Sequence, residues 1–498
     1  MNVNPITRLD YPDLDVIRVE DTYYMVSTTM HFMPGCEILQ SFDLVHWEHA
    51  TYVYETLDHT DAQQLKSGQN IYGQGMWAAS LRYHEGRFYI CFVANDTRKT
   101  YLYTSEKIDG PWKKQLIEGF YHDGSLLFDE DGRNYIVYGN DEIWITELNE
   151  DLTAPKKDGL HRLLVSDHKN PKLGYEGSHI QKINGYYYIF LIHSLRDRWM
   201  RTEACFYSDS LEGEFTGGDV LCDDRGYCGQ GVAQGGIVDT PDGKWYAMLF
   251  QDSGAVGRIP ILLPVTWKDH FPVFGQNGHV PEEIEVHSTR PGYIYQPLVG
   301  SDDFCNGLLP RWQFNHDPDP QYYHLDALQG TYTITTREVC TELTQAVNTL
   351  TQRMSYPSCA AEVTVDASAL KEGDVAGLCA FQGCYAAVGI TKHHGKYEVL
   401  MLDKKEDGIL DMTEGTVVES HQMDFRLEAD FCNMKDEARC YYRVNKGDWL
   451  PIGTVHKLYF KLDHFTGCRF GLFCYAAEET GGSACFRDFK YYDVDEIS

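Results

Sequence analysis

One pattern recurs five times before residue 250 and restricts the fold more than any other feature of the chain. The copies read DLDVIRVEDTYYMV, WAASLRYHEGRFYICF, DGSLLFDEDGRNYIVY, EGSHIQKINGYYYIF and QGGIVDTPDGKWYAML. Each joins an alternating apolar run to a polar turn (Glu20-Asp21, Glu85-Gly86, Asp131-Gly132, Asn184-Gly185, Asp242-Gly243). An aromatic-rich run follows, through Tyr24, Tyr89, Tyr135, Tyr188 or Tyr246. Period-two alternation broken by a tight polar turn is the mark of a β-hairpin. The tyrosines recur every 46 to 65 residues, and further short strand-like runs with aromatic anchors (SFDLVHWEH, KIDGPWKK, LEGEFTG) lie between them. Units this small cannot bury their own faces, so they are expected to stack as the blades of a five-bladed β-propeller.

The shared phase picks out a set of residues. Twelve positions before Tyr89, Tyr135, Tyr188 and Tyr246 stand Trp77, Asp123, Glu176 and Gln234, and eleven before Tyr24 stands Asp13. In a propeller the innermost strands run beside the central channel, so equivalent positions converge on one mouth of it. Taken singly, each carboxylate fits a strand cap, a turn acceptor or a structural ion ligand. Three in one phase beside a tryptophan fit glycoside hydrolysis, in which one carboxylic acid protonates the leaving oxygen and a second carboxylate handles water or the anomeric carbon. Like charges close together raise the pKa of the most desolvated group, which keeps a proton available near neutrality. A non-catalytic sugar-binding propeller is the competing class; it would more often repeat one pocket in every blade, whereas these five positions differ in kind.

Charge excludes other classes. With a net charge of -31 and no long Lys or Arg run, the chain is not built to track a nucleic-acid backbone or an anionic membrane. The start, MNVNPITRLDYPDLDV, lacks a basic segment followed by an apolar one, and no stretch reaches the roughly 18 apolar residues of a spanning helix. The expectation is a cytoplasmic protein. Fifteen cysteines without CxxC spacing point to buried free thiols, not to a zinc site or a disulfide framework.

At these residues the chain resembles the family 43 glycoside hydrolases, five-bladed propellers acting on α-L-arabinofuranosides and β-D-xylosides. YPDLDVIRVEDTYYMVSTT resembles the segment bearing the general base, here Asp13. HDGSLLFDEDG resembles the segment with the third aspartate, Asp123, which tunes the acid and orients substrate, and EGSHIQKINGYYY the general-acid segment, Glu176. GMWAASLRYHEGRFY is similar to the Trp-Ala-Pro stretch, with Ala79 in place of proline; AVGRIPILLPVTW to the strand whose arginine, Arg258, faces the sugar; and MHFMPG to the loop giving the glycone pocket an apolar wall, with Phe32 as candidate. Trp77 is the expected sugar platform. The resemblance implies inversion, with about 6.5–9.5 Å between the two catalytic carboxyl groups. Many members carry histidine at the Gln234 position, where it organises a hydrated calcium ion. A glutamine there leaves a bound divalent cation open, and the chemistry requires no cofactor.

After FPVFG the hairpin pattern stops, and from about residue 302 short alternating runs such as TYTITT, CAAEVTV, AAVGITK, YEVLML and RFGLFCY read as an antiparallel β-sandwich. DDF, WQFNH and AVNTLTQR resemble the concanavalin-like sandwich that follows the propeller in many relatives. The expectation is therefore all-β: a catalytic propeller over 1–300 and a sandwich over 301–498. An exo-acting α-L-arabinofuranosidase trimming arabinose from hemicellulose oligosaccharides is the leading expectation, with a β-D-xylosidase or dual activity as the alternative. Phosphorolysis on the same scaffold would need a cationic phosphate site, and Arg258 stands without a cationic cluster.

Overall fold

The five hairpins form the inner pairs of five four-stranded antiparallel sheets. The computed structural model, described over residues 3–493, is all-β apart from four short 3-10 turns. The innermost strands are Asp15–Val19, Met76–His84, Ser125–Phe128, Glu176–Ile183 and Val232–Asp239. Each repeat tyrosine pairs across to this strand: Tyr24 with Ile17, Tyr89 with Arg82, Tyr135 with Leu127, Tyr188 with Gln181 and Tyr246 with Val238. Counting back from the tyrosine therefore leads past the turn and up the inner strand to its opposite end.

That end is irregular in every blade. Register shifts fall between Met76 and Ala79, Glu176 and His179, and Ala233 and Gly236. Asp13, Asp123 and Gln234 have φ of 50°, 48° and 61°, and Gly177, beside Glu176, has 64°. Bulges of this kind re-aim side chains at channel rims, and a left-handed φ on three non-glycine residues costs energy that surrounding contacts must hold in place.

Below the rim the channel is stitched together by charge. Asp15 accepts from Leu81 N at 2.8 Å and Arg82 Nη1 at 2.6 Å, and lies 3.1 Å from His179 Nδ1. Burial pushes its carboxyl up, yet Arg82 and His179 outweigh that and hold it at about 2. Arg82 also donates to Ser125 Oγ at 2.7 Å and to the Ile180 carbonyl at 3.2 Å, so one guanidinium joins blades two, three and four. The ring closes through the N-terminal segment, which runs along the Arg258–Lys268 strand: Ile6 N donates to Pro260 O and Tyr11 N to Arg258 O.

The second body is a sandwich of one nine-stranded and one seven-stranded sheet. Phe425, Leu472 and Phe486 are fully buried in its core, together with Ala255, Val256 and Ile259 of the propeller. The propeller also donates a strand: Phe32–Met33 pairs with Gln313–Asn315 at the edge of the nine-stranded sheet. Arg353 of the sandwich reaches Glu37 at 2.8 Å and the Asp10 carbonyl at 2.9 Å, all in the interior. Breaking such a buried pair costs about 3–5 kcal/mol, so the two bodies hold one fixed orientation. Ten of the fifteen cysteines are buried and all are unpaired. Among the described residues no helix is long and apolar enough to cross a membrane.

Candidate active site

The five rim residues are linked by a run of contacts, directly or through Arg258, Phe465, His122 and Gly177. Asp13 is held on both oxygens: Arg258 Nη1 donates to Oδ1 at 2.8 Å and Thr28 Oγ1 to Oδ2 at 2.8 Å. Arg258 is 2 % exposed, and its Nε and Nη2 have no protein partner. Buried donors without partners are costly, so these two guanidinium nitrogens leave hydrogen-bonding capacity unused beside Asp13. Across the mouth, Asp123 Oδ2 accepts from Gly177 N at 2.9 Å, and Asn140 Nδ2 donates to Glu176 Oε2 at 2.9 Å. The Gln234 side chain packs on Gly177, where an added Cβ would come within 2.7 Å of Gln234 Cγ. Trp77 lies with its ring centroid 5.9 Å from that of His122.

His122 occupies the centre of the acidic side. Its Nε2 is 3.5 Å from Asp123 Oδ2 and 3.7 Å from Glu176 Oε2. Asp123 above all, helped by Glu176 and Asp13, outweighs burial and lifts the imidazole to about 9. Burial and the charges of Glu176 and Asp13 raise Asp123 to about 6, against the opposing pull of His122. Asp13 enters both balances, which places it electrostatically in the same cluster. Crowded carboxylates around a cation, in a desolvated cleft, are the arrangement in which proton transfer near neutral pH is feasible.

The sandwich completes the pocket. Phe465, on the loop after Leu450–Lys457, sits 4.2 Å from the Arg258 guanidinium and 5.6 Å from the Trp77 ring. Asp10 fixes this loop relative to the base side, accepting from Arg258 N and Gly467 N, both at 2.7 Å. Phe32 corrects an expectation. It is fully buried, joins the sandwich edge through Asn315, and packs under Arg469 with the guanidinium 3.5 Å from its ring. Pairing with the sandwich turns it away from the mouth, and Phe465 provides the apolar wall instead.

His122, Thr28, Asn140 and Phe465 were not singled out in the sequence. His122 directly precedes an expected site residue. Thr28 and Asn140 follow the repeat tyrosines by four and five positions, so counting forward along the second strand as well as back along the first would have found them. Phe465 belongs to no repeat and carries no such signal.

A calcium ion takes six to eight oxygen ligands. Near Gln234 the side chains offer the amide and the fully buried Glu203, whose Oε2 accepts from Gln234 N at 2.7 Å and whose Oε1 lacks a partner. Burial drives Glu203 well above the usual carboxylate range, toward the neutral acid. These groups are too few to form a calcium cage by themselves. Among the described residues the one close trio of ligand-type side chains is His122, Asp123 and Glu176, with ligand atoms within 4.8 Å of one another. That trio is committed to the acid side.

Carboxylates crowded at the rim of a five-bladed propeller are compatible with glycoside hydrolysis, and the family match makes the chain a glycoside hydrolase. The comparisons with known proteins agree. The chain belongs to the glycosyl hydrolases family 43, whose model matches residues 3–272, and residues 301–492 match the beta xylosidase C-terminal concanavalin A-like domain. A solved bifunctional GH43-CE protein of Bacteroides eggerthii superposes with a TM-score of 0.92 at 42 % identity over the whole chain, which spans 64 % of that protein's length. An engineered GH43 enzyme described as displaying both endo-xylanase and exo-arabinofuranosidase activity superposes at 0.86 with 28 % identity, over 99 % of each chain. A beta-xylosidase of Formosa agariphila is 26 % identical over 99 % of this chain and 89 % of its own.

Proposed function

We propose that the protein is an exo-acting, inverting glycosidase that releases a terminal pentose from xylose- or arabinose-containing oligosaccharides. The observation that carries this reading is the joining of Asp13 to Arg258 on one side of the pocket and of Asp123, His122 and Glu176 on the other. Arg258 and Thr28 fix Asp13 so that its remaining lone pairs face a water, from which it takes a proton as that water attacks the anomeric carbon. Glu176, at 23 % side-chain exposure the most open of the cluster, gives its proton to the glycosidic oxygen. His122, a cation at neutral pH with its value near 9, balances the carboxylate that Glu176 then becomes, and Asn140 donates to the same oxygen. Asp123 orients His122 and the sugar. Phe465 over Arg258 walls the pocket on one side, which suits a chain end better than a chain interior.

Between the two pentoses, the name of the Formosa agariphila relative and the matched C-terminal domain favour the β-D-xyloside. The arabinofuranoside reading reached from the sequence retains the support of the engineered exo-arabinofuranosidase. The two substrates differ in ring shape more than in hydroxyl chemistry, so a shared pocket accepting both is consistent with the weak discrimination such differences allow. Turnover of 4-nitrophenyl β-D-xylopyranoside and α-L-arabinofuranoside, measured side by side with product stereochemistry followed by NMR, tests the reading. Xyloside turnover with inversion is expected to dominate; turnover of neither, or retention, would overturn it.

A further inference from the structure

A cavity of about 300 Å³ lies between the two domains, behind the loop that carries Phe465. Propeller residues between 65 and 72 form one wall, and sandwich residues near 345, 404 and 459–464 form the other. This volume falls at the lower end for a small-ligand site, about 300–1,000 Å³.

The lining selects a chemistry. Its cations are already neutralised: Lys404 pairs with Glu342 and Lys405 with Asp411. An anion would have to compete with those carboxylates. The amides, by contrast, keep capacity in hand. Asn70 spends its Oδ1 on Tyr72 N, and Gln345 spends its Oε1 on Thr341, so among the described residues Asn70 Nδ2 and Gln345 Nε2 have no protein partner. Tyr459, half-buried in the same wall, adds an aromatic face, with its hydroxyl directed to Asp463. Uncommitted amides and a tyrosine face, beside an Asp463 carboxylate that among the described residues has no cationic partner and so disfavours an anion, suit a polyhydroxylated ligand without negative charge.

We propose that this cavity is a second sugar site, taking a free pentose or a short neutral pentose oligosaccharide; the choice of sugar rests on the function proposed above. The cavity and the catalytic ring share a wall. His464 stacks on Tyr72 with centroids 3.9 Å apart and planes 6° apart, and the next residue, Phe465, covers Arg258.

Equilibrium dialysis of labelled xylobiose against the full chain carrying Glu176→Gln, which slows turnover, gives the number of sugars bound. The same measurement is made after adding Asn70→Ala and Gln345→Ala, two changes remote from the acid and base. Two sugars per chain, falling to one in the triple variant with at least a tenfold loss of affinity at the missing site, is the expected result. One sugar per chain in both proteins, or two in both, would overturn the proposal. One sugar that disappears in the triple variant would support the cavity while counting against pentose binding in the ring. Binding to neither protein would overturn both.

Discussion

Asp13 and Asp123 occupy the same position in two blades, with nearly the same backbone (φ 50° and 48°) and the same burial (8 % and 6 % exposed). Their surroundings are opposite. Asp13 faces a buried arginine and a threonine hydroxyl, both within hydrogen-bond distance. Asp123 is crowded by Glu176, with an imidazolium as its opposing charge and a single backbone N–H as donor. The repeat thus fixes where a carboxylate stands, and the neighbour from the next blade or connecting loop decides what it does. A propeller can divide labour in this way because each rim position touches side chains of a different blade.

The widest split between the two should come from amides. Asp13→Asn is expected to lower kcat by about 10²–10⁴-fold on every glycoside regardless of leaving group, the range for loss of a positioned general base. Steady-state kinetics on an aryl and a natural substrate would check it; a loss confined to one of them would break the assignment of Asp13. Next in size is Phe465→Ala, which removes the cover from Arg258 and should raise KM about tenfold, in keeping with a desolvated cation–π contact of about 1–2 kcal/mol. An unchanged KM would return the sandwich to a purely supporting role.

His122→Gln sharpens the comparison through pH. The His122 charge is the main force opposing the upward shift of Asp123, so its loss should carry Asp123 above its present value of about 6. The acid limb of kcat/KM against pH would then move to higher pH, and the alkaline loss expected of the wild type as His122, raised to about 9, deprotonates would be absent. A profile identical to wild type would show that the imidazole does not balance this pair. The smallest effect is expected from Phe32→Leu, which should leave KM unchanged while lowering the denaturation midpoint, because the ring packs under Arg469 in the domain junction. A raised KM would put Phe32 back at the pocket.

The blade repeat was readable because sheet register is rigid. A fixed number of residues from a paired tyrosine, across a short turn, leads to one place on every blade, and the bulge at the rim repeats with it. Asp13, Trp77, Asp123, Glu176 and Gln234 therefore came together from spacing, and Arg258 from its resemblance to a known strand. The partners were not readable to the same degree. His122 is adjacent in sequence to Asp123, yet spacing does not say that an imidazole will lie between two blades. Phe32 and Phe465 illustrate the harder case. Both are aromatic residues in loops, and which one walls the pocket depends on how the sandwich docks, a contact between residues 388 positions apart for which neither hairpin period nor turn chemistry carries information.

The central claim is that Glu176 donates the proton while Asp13 accepts one. Comparing kcat of Glu176→Gln on xylobiose and on 4-nitrophenyl β-D-xylopyranoside tests it most directly, because the activated leaving group needs little protonation. A fall of about 10²–10⁴-fold on xylobiose with a much smaller fall on the aryl glycoside is the predicted result. Equal losses on both substrates would contradict the assignment of Glu176 as the acid.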